Sequence, residues 1–533
     1  MAVPPDTRPP LQARLSRPWS LDILLGLLIV TSLPLAVVAV PNTLSVVAGL
    51  LPDDLDQAGL MRTHGLALPA LMLAVPLAVA LRRRVPAAPL LVGALALVAL
   101  SDAAGGYAAS ELVVGVVRVL RGAGSGAVIA VTLAAAWHRA PVLRGLWAGV
   151  FALSLLTAQA LALWPLDEVT SWRVTLQPYP LVTGIALALA AVHLVVWLVL
   201  GRPDGDPLEN GELKRLLLAV APVAVVAAAA VSTASAGWRS GAVVLLAALA
   251  VAGLLALASI GGAVRRVSAY TMVAVGVVLL PSAAQITLVE MGGLGGPGLR
   301  GLWVPYAVAG VLAIAAAVAV RLLGRGGRRW LAPLGLLAVV GGLCSVRLVV
   351  PSADGMVLAV PFTLLAVGAA VAITAVLQDI GLGAAVYGLT LCCTGVLTGF
   401  LLGAGVQMAM LDGVRSPQEL VDGFVGALHW WALISGFLVV AIIVLASLMA
   451  RRPGKEPAVP EGPCAGPSEP GDVLLVSAPV DDDRADDDRA DDDRADGDAP
   501  QVAAPVVKWG AFGGAGKPAV PPPGQSPEDA GSG

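Results

Sequence analysis

The sequence predicts an all-α integral membrane protein: a bundle of about 14 transmembrane helices in a six, two, six arrangement, followed by a disordered acidic tail. Three observations carry that expectation. The first is composition. Of 533 residues, 57% are hydrophobic and 13% charged, and the mean hydropathy is +0.85, against about 25% charged residues in soluble domains. The second is the repeated occurrence of apolar runs of about 20 residues, the length that crosses a bilayer as a helix. The third is the way basic residues alternate between successive connections.

The runs follow in order. The first covers 21–43 and is too long for the core of a signal peptide, and no small-residue cleavage site follows it, so it is expected to stay in the protein. Runs at 60–81, 86–107, 111–135, 143–164 and 179–200 complete a first group of six. The connections between them are short and carry Gly, Pro or charge, as in 52–57 and Arg82-Arg83-Arg84, which are turn and boundary signals. A polar break, 201–214, then forms a linker rich in acidic residues, Gly and Pro. Beyond it lie two runs, 215–235 and 241–263, read as an inserted pair. Six more follow at 268–290, 302–323, 330–350, 356–377, 384–411 and 425–449. The expected organisation is a cytoplasmic segment 1–20, a six-helix half 21–200, the linker, the pair 215–263, a second half 268–449 and the tail 450–533.

Fourteen crossings place both termini on one side of the membrane. That side collects 20 of the Lys and Arg residues outside the helix interiors, and the other side 6. One miscounted helix would scramble this alternation for every later connection. The bias therefore supports the count and predicts cytoplasmic termini in a multi-pass protein of the plasma membrane. The tail has a different character. Residues 456–533 hold 5 Lys and Arg against 17 Asp and Glu, and D-D-D-R-A recurs three times from Asp481. Such a segment has too little apolar content to offset the entropy of ordering.

Several chemistries find no support in the residues. Cys344, Cys392, Cys393 and Cys464 have no metal-ligand spacing, and His64, His138, His193 and His429 form no ligand pair. No metal or other cofactor is expected. No P-loop occurs, so nucleotide-driven pumping is not expected, and nothing points to a nucleic-acid partner. An enzyme acting on lipid-linked substrates would need a large extramembrane loop or a cluster of acids or histidines, and the chain has neither.

Three local patterns resemble the major facilitator superfamily, in its fourteen-helix drug:proton antiporter group. Arg118-Val119-Leu120-Arg121-Gly122-Ala123-Gly124 in the fourth run looks like the family's R-x-x-Q-G-x-G, with Arg121 in place of Gln. Trp172-Arg173 followed by Pro178 is similar to its W-R signature before the sixth helix, and Val38-Ala39-Val40-Pro41 to its V-A-L-P in the first. The resemblance spans about 430 residues. It implies a secondary transporter with two halves rocking about a midplane site, exporting small amphipathic molecules of the drug or secondary-metabolite class, with protons as the coupling ion. The departures are specific. The loop after the second run keeps only the positive charge of the family's motif, and Gly324 stands where its second-half counterpart has Asp. Ser32 stands where proton-coupled members carry Asp, and the fifth run has Ser154, Thr157 and Gln159 instead of G-P-x-x-G-G. These losses favour an alternative, a non-transporting scaffold of the same fold whose acidic tail binds partners.

Candidate substrate or coupling residues are the polar groups left inside apolar runs, where an ionisable side chain is costly. Arg118 and Arg121 share one helix face; the alternative to a functional role is that they bond helix carbonyls or reach out to water. Asp22, Asp102, Glu111, Glu290 and Asp379 fall near helix ends. Of these Glu290 is preferred, because Gln285 and Thr287 precede it. Asn42, Gln159 and Gln285 are expected to hydrogen-bond a ligand or another helix. Gly122 and Gly126, and Gly395, Gly399 and Gly403, recur at four-residue spacing as helix-packing positions. The expected partners are the bilayer and a small-molecule substrate, and the expected state is a monomer.

Overall fold

The computed structural model describes residues 19–51, 56–166, 169, 171–200, 210–233, 238–260, 262–291, 296–323 and 328–451. The expected cytoplasmic segment before residue 19, most of the acidic linker and the D-D-D-R-A tail lie outside the described residues. Among the described residues the chain is helical throughout and contains no strand. The fourteen long helices are α1 (Trp19–Val37), α2 (Gln57–Leu81), α3 (Ala87–Gly105), α4 (Glu111–Trp137), α5 (Pro141–Leu163), α6 (Pro180–Val199), α7 (Asn210–Thr233), α8 (Ser240–Ala258), α9 (Ala263–Glu290), α10 (Gly298–Leu322), α11 (Arg328–Val349), α12 (Ala359–Val376), α13 (Leu382–Met410) and α14 (Pro417–Arg451). Thirteen of them are long and apolar enough to cross a membrane, and α7 carries the shorter apolar stretch Val220–Thr233.

Local chemistry explains where these boundaries fall. α1 stops at Val37, short of the sequence expectation, and residues 38–41 turn instead; Pro41 has no N–H with which to continue a helix. α2 breaks between His64 and Ala67, because Pro69 offers no donor to the Gly65 carbonyl and its ring crowds that oxygen. α14 begins at Pro417, earlier than hydropathy alone placed it. There the Ser416 hydroxyl accepts the Glu419 N–H at 3.2 Å, and the Glu419 carboxylate reaches back to the Arg415 N–H at 2.8 Å. This reciprocal arrangement is close to a capping box.

The packing divides into two groups. α4 lies against α1, α2 and α3, while α6 packs on α1 and α3. In the second group α9 lies against α12, α13 and α14, while α11 packs on α12 and α14, and α10 on α12. The groups meet chiefly along two seams, α5 against α10, α12 and α9, and α2 against α13. α7 and α8 lie outside them, both on α13, with α7 also on α2. Burial follows this plan. α9 and α13 are enclosed over 94% and 89% of their most apolar window, whereas α6, α8 and α14 are enclosed over only 28%. The first two form the interior of the bundle and the last three face the lipid.

Glycine makes the closest seams possible. A side chain at Gly122 or Gly126 would collide with the Ala67 or Leu71 carbonyl of α2, and one at Gly399 with the Val277 carbonyl of α9. Pro281 has no N–H for that same Val277 carbonyl, and its ring also lies against Gly399. Gly395 approaches Val273 and Val277, so the α13 stripe is a seam inside the second group. Across the groups, Gly145 and Gly149 of α5 bring it close to Ala317 and Ile314 of α10.

Candidate functional site

The end of the bundle where α1, α3 and α9 finish, here the distal end, gathers the buried Arg118, Arg121, Asp102 and Glu290. In the first group they form one brace. Arg118 is 2% exposed and reaches the ends of two helices. Its Nε donates to the His64 carbonyl at 2.7 Å, and its Nη2 to the Ala39 carbonyl at 2.8 Å and the Pro41 carbonyl at 3.3 Å. Carbonyls at helix C-termini lack intrahelical donors and carry partial negative charge, so a guanidinium with five donors suits that position.

Arg121, one turn further on, is fully buried. Its Nη1 lies 2.7 Å from Asp102 Oδ1 on α3 and 2.5 Å from the Leu176 carbonyl. The other carboxylate oxygen accepts the Thr183 hydroxyl of α6 at 2.6 Å. Asp102 is thus a buried partner that ties α3, α4 and α6 together, rather than a hydrated helix end. Trp172 is buried beside the same brace, and Arg173 Nε donates to the Ala108 carbonyl at 2.8 Å, fixing the turn before α6 to the one between α3 and α4. Asn42 is exposed and joins the ends of α1 and α2, donating to the Met61 carbonyl at 3.0 Å and accepting from the Leu44 N–H at 3.2 Å.

The second group holds a different arrangement. Glu290, the last residue of α9, is fully buried. Its Oε1 accepts the Ser352 N–H at 3.1 Å, and Oε2 has no hydrogen-bond partner. One turn earlier the Thr287 and Tyr306 hydroxyls are 2.6 Å apart, and the Tyr306 ring stacks on Phe362 with centroids at 4.4 Å. His429 of α14 holds the Val350 carbonyl at 2.9 Å, two residues before Ser352. Gln285 is buried, and its amide nitrogen occupies the space that Gly403 leaves open on α13. Gln159 is buried on α5.

The sequence candidates therefore fall into separate clusters. Arg118, Arg121 and Asn42 lie in the first group, Glu290, Gln285 and Gly403 in the second, and Gln159 on the helix that packs against both. Several other buried hydroxyls are satisfied by the backbone of their own helix. Ser32 bonds the Leu28 carbonyl at 2.5 Å, Ser154 that of Val150, and Thr390, Thr394 and Thr398 those one turn earlier. Two participants were missed from sequence, Asp102 as a partner and Ser352 as a donor. Asp102 had a usable signal: a carboxylate in the last turn of a membrane helix opposes the helix dipole and calls for a cation. Ser352 had none. No metal-binding cluster occurs among the described residues.

With this geometry in hand, the chain can be set beside known proteins. No protein-family model and no curated protein sequence matches it. Among solved structures it superposes on the proton:xylose symporter XylE of the major facilitator superfamily, bound to 6-bromo-6-deoxy-D-glucose. The TM-score is 0.51 at 14% identity, over 81% of this chain and 95% of that one. The fold is the major facilitator fold. The human organic anion transporter MFSD10 (TETRAN) aligns with a TM-score of 0.45 at 16% identity, over 78% of this chain and 99% of that one. Each packed group, a half of the bundle, contributes six helices, and α7 and α8 lie outside both.

Proposed function

We propose that this protein is a membrane secondary transporter that exports small amphipathic molecules by alternating access, as a monomer in the plasma membrane with both termini cytoplasmic. The observation that carries the reading is where the polar bonds lie. The Arg121–Asp102 pair, the Arg118 bonds to three carbonyls, the Glu290–Ser352 bond and the His429–Val350 bond each stay within one half. Where α5 crosses to α10, Gly145 and Gly149 meet Ala313, Ile314, Ala317, Val318 and the Cβ of Arg321. Each half is braced internally, and a smooth seam lets one rock against the other without breaking those bonds. The 20 to 6 distribution of basic residues supports the orientation.

Glu290 is the coupling residue in this reading. A buried ionised carboxylate without a cation is costly, so a proton is its natural partner, carried by one conformation and released by the other. The test is efflux of fluorescent cationic and neutral amphiphiles from whole cells or inverted vesicles, with and without a protonophore. The expected result is protonophore-sensitive efflux that Glu290→Gln abolishes at unchanged protein level. Correctly inserted protein that moves no dye overturns the export reading.

The second reading, a non-transporting scaffold, is favoured by Ser32. It occupies the position of the family's coupling Asp and is closed off on its own helix. Under that reading, deleting residues 456–533 removes the cellular phenotype and Glu290→Gln leaves it intact.

A further inference from the structure

The two ends of the bundle differ in charge. At the proximal end, opposite the distal one, odd-numbered helices begin and even-numbered helices end. Its helix ends and connections within residues 1–455 carry 20 Lys and Arg against 7 Asp and Glu, the acids of the 201–214 linker included, a net charge of +13. The distal end, with Arg118 and Arg121, carries 8 against 12. An arginine paired with an acid is counted together with that acid, so the proximal excess stands whichever side chains are bonded to one another.

The excess lies on both halves. Arg83 and Arg84, after α2, are exposed, and Arg265 and Arg266, in the first turn of α9, are half-buried. The halves meet at this end where a Cβ on Gly145 would lie 3.3 Å from the Cβ of Arg321, so Arg144 of the first half and Arg321 of the second stand beside one seam. The chain itself supplies the matching anion. α14 ends at Arg451 on this same face, and residues 456–533 follow with 17 Asp and Glu against 5 Lys and Arg, a net charge of −12. Within them, residues 481–498 hold 11 Asp and 3 Arg. The 29 residues between Arg451 and Asp481 span up to about 100 Å when extended, against about 10 Å for one helix diameter. A tether of this kind gives the acidic segment a local concentration of order mM, and carboxylates are strong acceptors for guanidinium groups.

We propose that the D-D-D-R-A segment docks on the basic proximal face of its own chain and bridges the two halves there. The docking itself does not depend on what the protein transports. Its consequence rests on the transporter reading: a bridge across the seam holds this end closed and slows the cycle, in a manner that salt relieves.

The test uses the full chain in phosphatidylcholine nanodiscs, with Cys344 and Cys464 replaced by Ser and spin labels on Leu323→Cys and Ala490→Cys. Electron–electron distances are expected to show a short, narrow population at low salt that falls at least about threefold at 1 M salt, where the screening length is about 3 Å. Replacing the nine Asp of the three repeats by Asn leaves the helices untouched and is expected to remove that population at every salt concentration. Arg83→Gln with Arg84→Gln, and separately Arg265→Gln with Arg266→Gln, are each expected to reduce it. A distance distribution that ignores salt overturns the proposal, as does a short population that survives in the Asn variant. Sensitivity to only one arginine pair places the segment on one half and overturns the bridge. Release of the segment by phosphatidylglycerol in the nanodisc gives the face to lipid headgroups and overturns docking in an anionic membrane. Deleting residues 456–533 is expected to raise the efflux rate; an unchanged rate alongside a salt-sensitive short population overturns the regulatory consequence alone.

Discussion

Among the described residues, the two halves each bury one carboxylate at the distal end, and they treat it in opposite ways. Asp102 and Glu290 both sit in the last turn of a helix, exposed by 3% and 0%. Asp102 has Arg121 at 2.7 Å and the Thr183 hydroxyl at 2.6 Å. Glu290 has one backbone N–H and an oxygen with no partner. A buried acid with a cation is a structural tie, because both charges are spent on each other. A buried acid without one is left to bind something else, and in an alternating-access protein that difference separates a brace from a coupling site.

The sharpest way to break the comparison is to orphan Asp102. Arg121→Ala is expected to destabilise the protein by about 3 to 5 kcal/mol, since it leaves an unpaired charge inside the bundle. Thermal unfolding in detergent or folded yield reads this directly. Asp102→Leu with Arg121→Met, which removes both charges, is expected to recover most of the loss. Full recovery would show that the pair specifies geometry rather than stability. Next in size are the glycine seams, in which the halves are alike. Gly122→Leu and Gly399→Leu each drive a side chain into a neighbouring carbonyl and are expected to cost at least about 1 to 3 kcal/mol, checked by the same unfolding assay.

Arg118→Lys is expected to cost about 1 to 2 kcal/mol. An ammonium keeps the charge and does not span the three carbonyls that the guanidinium holds. A Lys variant as stable as the parent would show that charge alone caps these helix ends. Glu290→Gln is expected to change stability least, by under about 1 kcal/mol, because an amide can still accept from Ser352 and no ion pair is lost. Its effect belongs to transport, where proton dependence should disappear. If Glu290→Gln destabilised the protein as much as Arg121→Ala, the contrast between the two acids would fail.

Much of the architecture was legible because hydropathy acts over 20 residues at a time. The helix positions between Leu21 and Met449 followed from that average, and single residues shifted only their ends. The start of α14 at Pro417 was missed because Gln418, Glu419 and Asp422 interrupt the apolar run there, although Ser416 and Glu419 carry a capping signal that hydropathy does not weigh. In the motif around Arg118 the sequence left two roles open. The structure places Arg118 on helix-end carbonyls and Arg121 on an acid from another helix. The seam formed by Gly145 and Gly149 is visible as a spacing, but nothing in the spacing says that it joins the two halves.

By itself the sequence determined that the chain is a membrane protein, which segments are helical and which polar residues are too costly to be incidental, because those follow from local composition and the dielectric of lipid. Only the tertiary structure decided which of them neutralise one another. Asp102 and Arg121 are 19 residues apart, and Glu290 and Ser352 are 62 apart. Whether a carboxylate meets a guanidinium or a single backbone N–H depends on which helices end side by side, and that is settled by packing between surfaces distant in the chain.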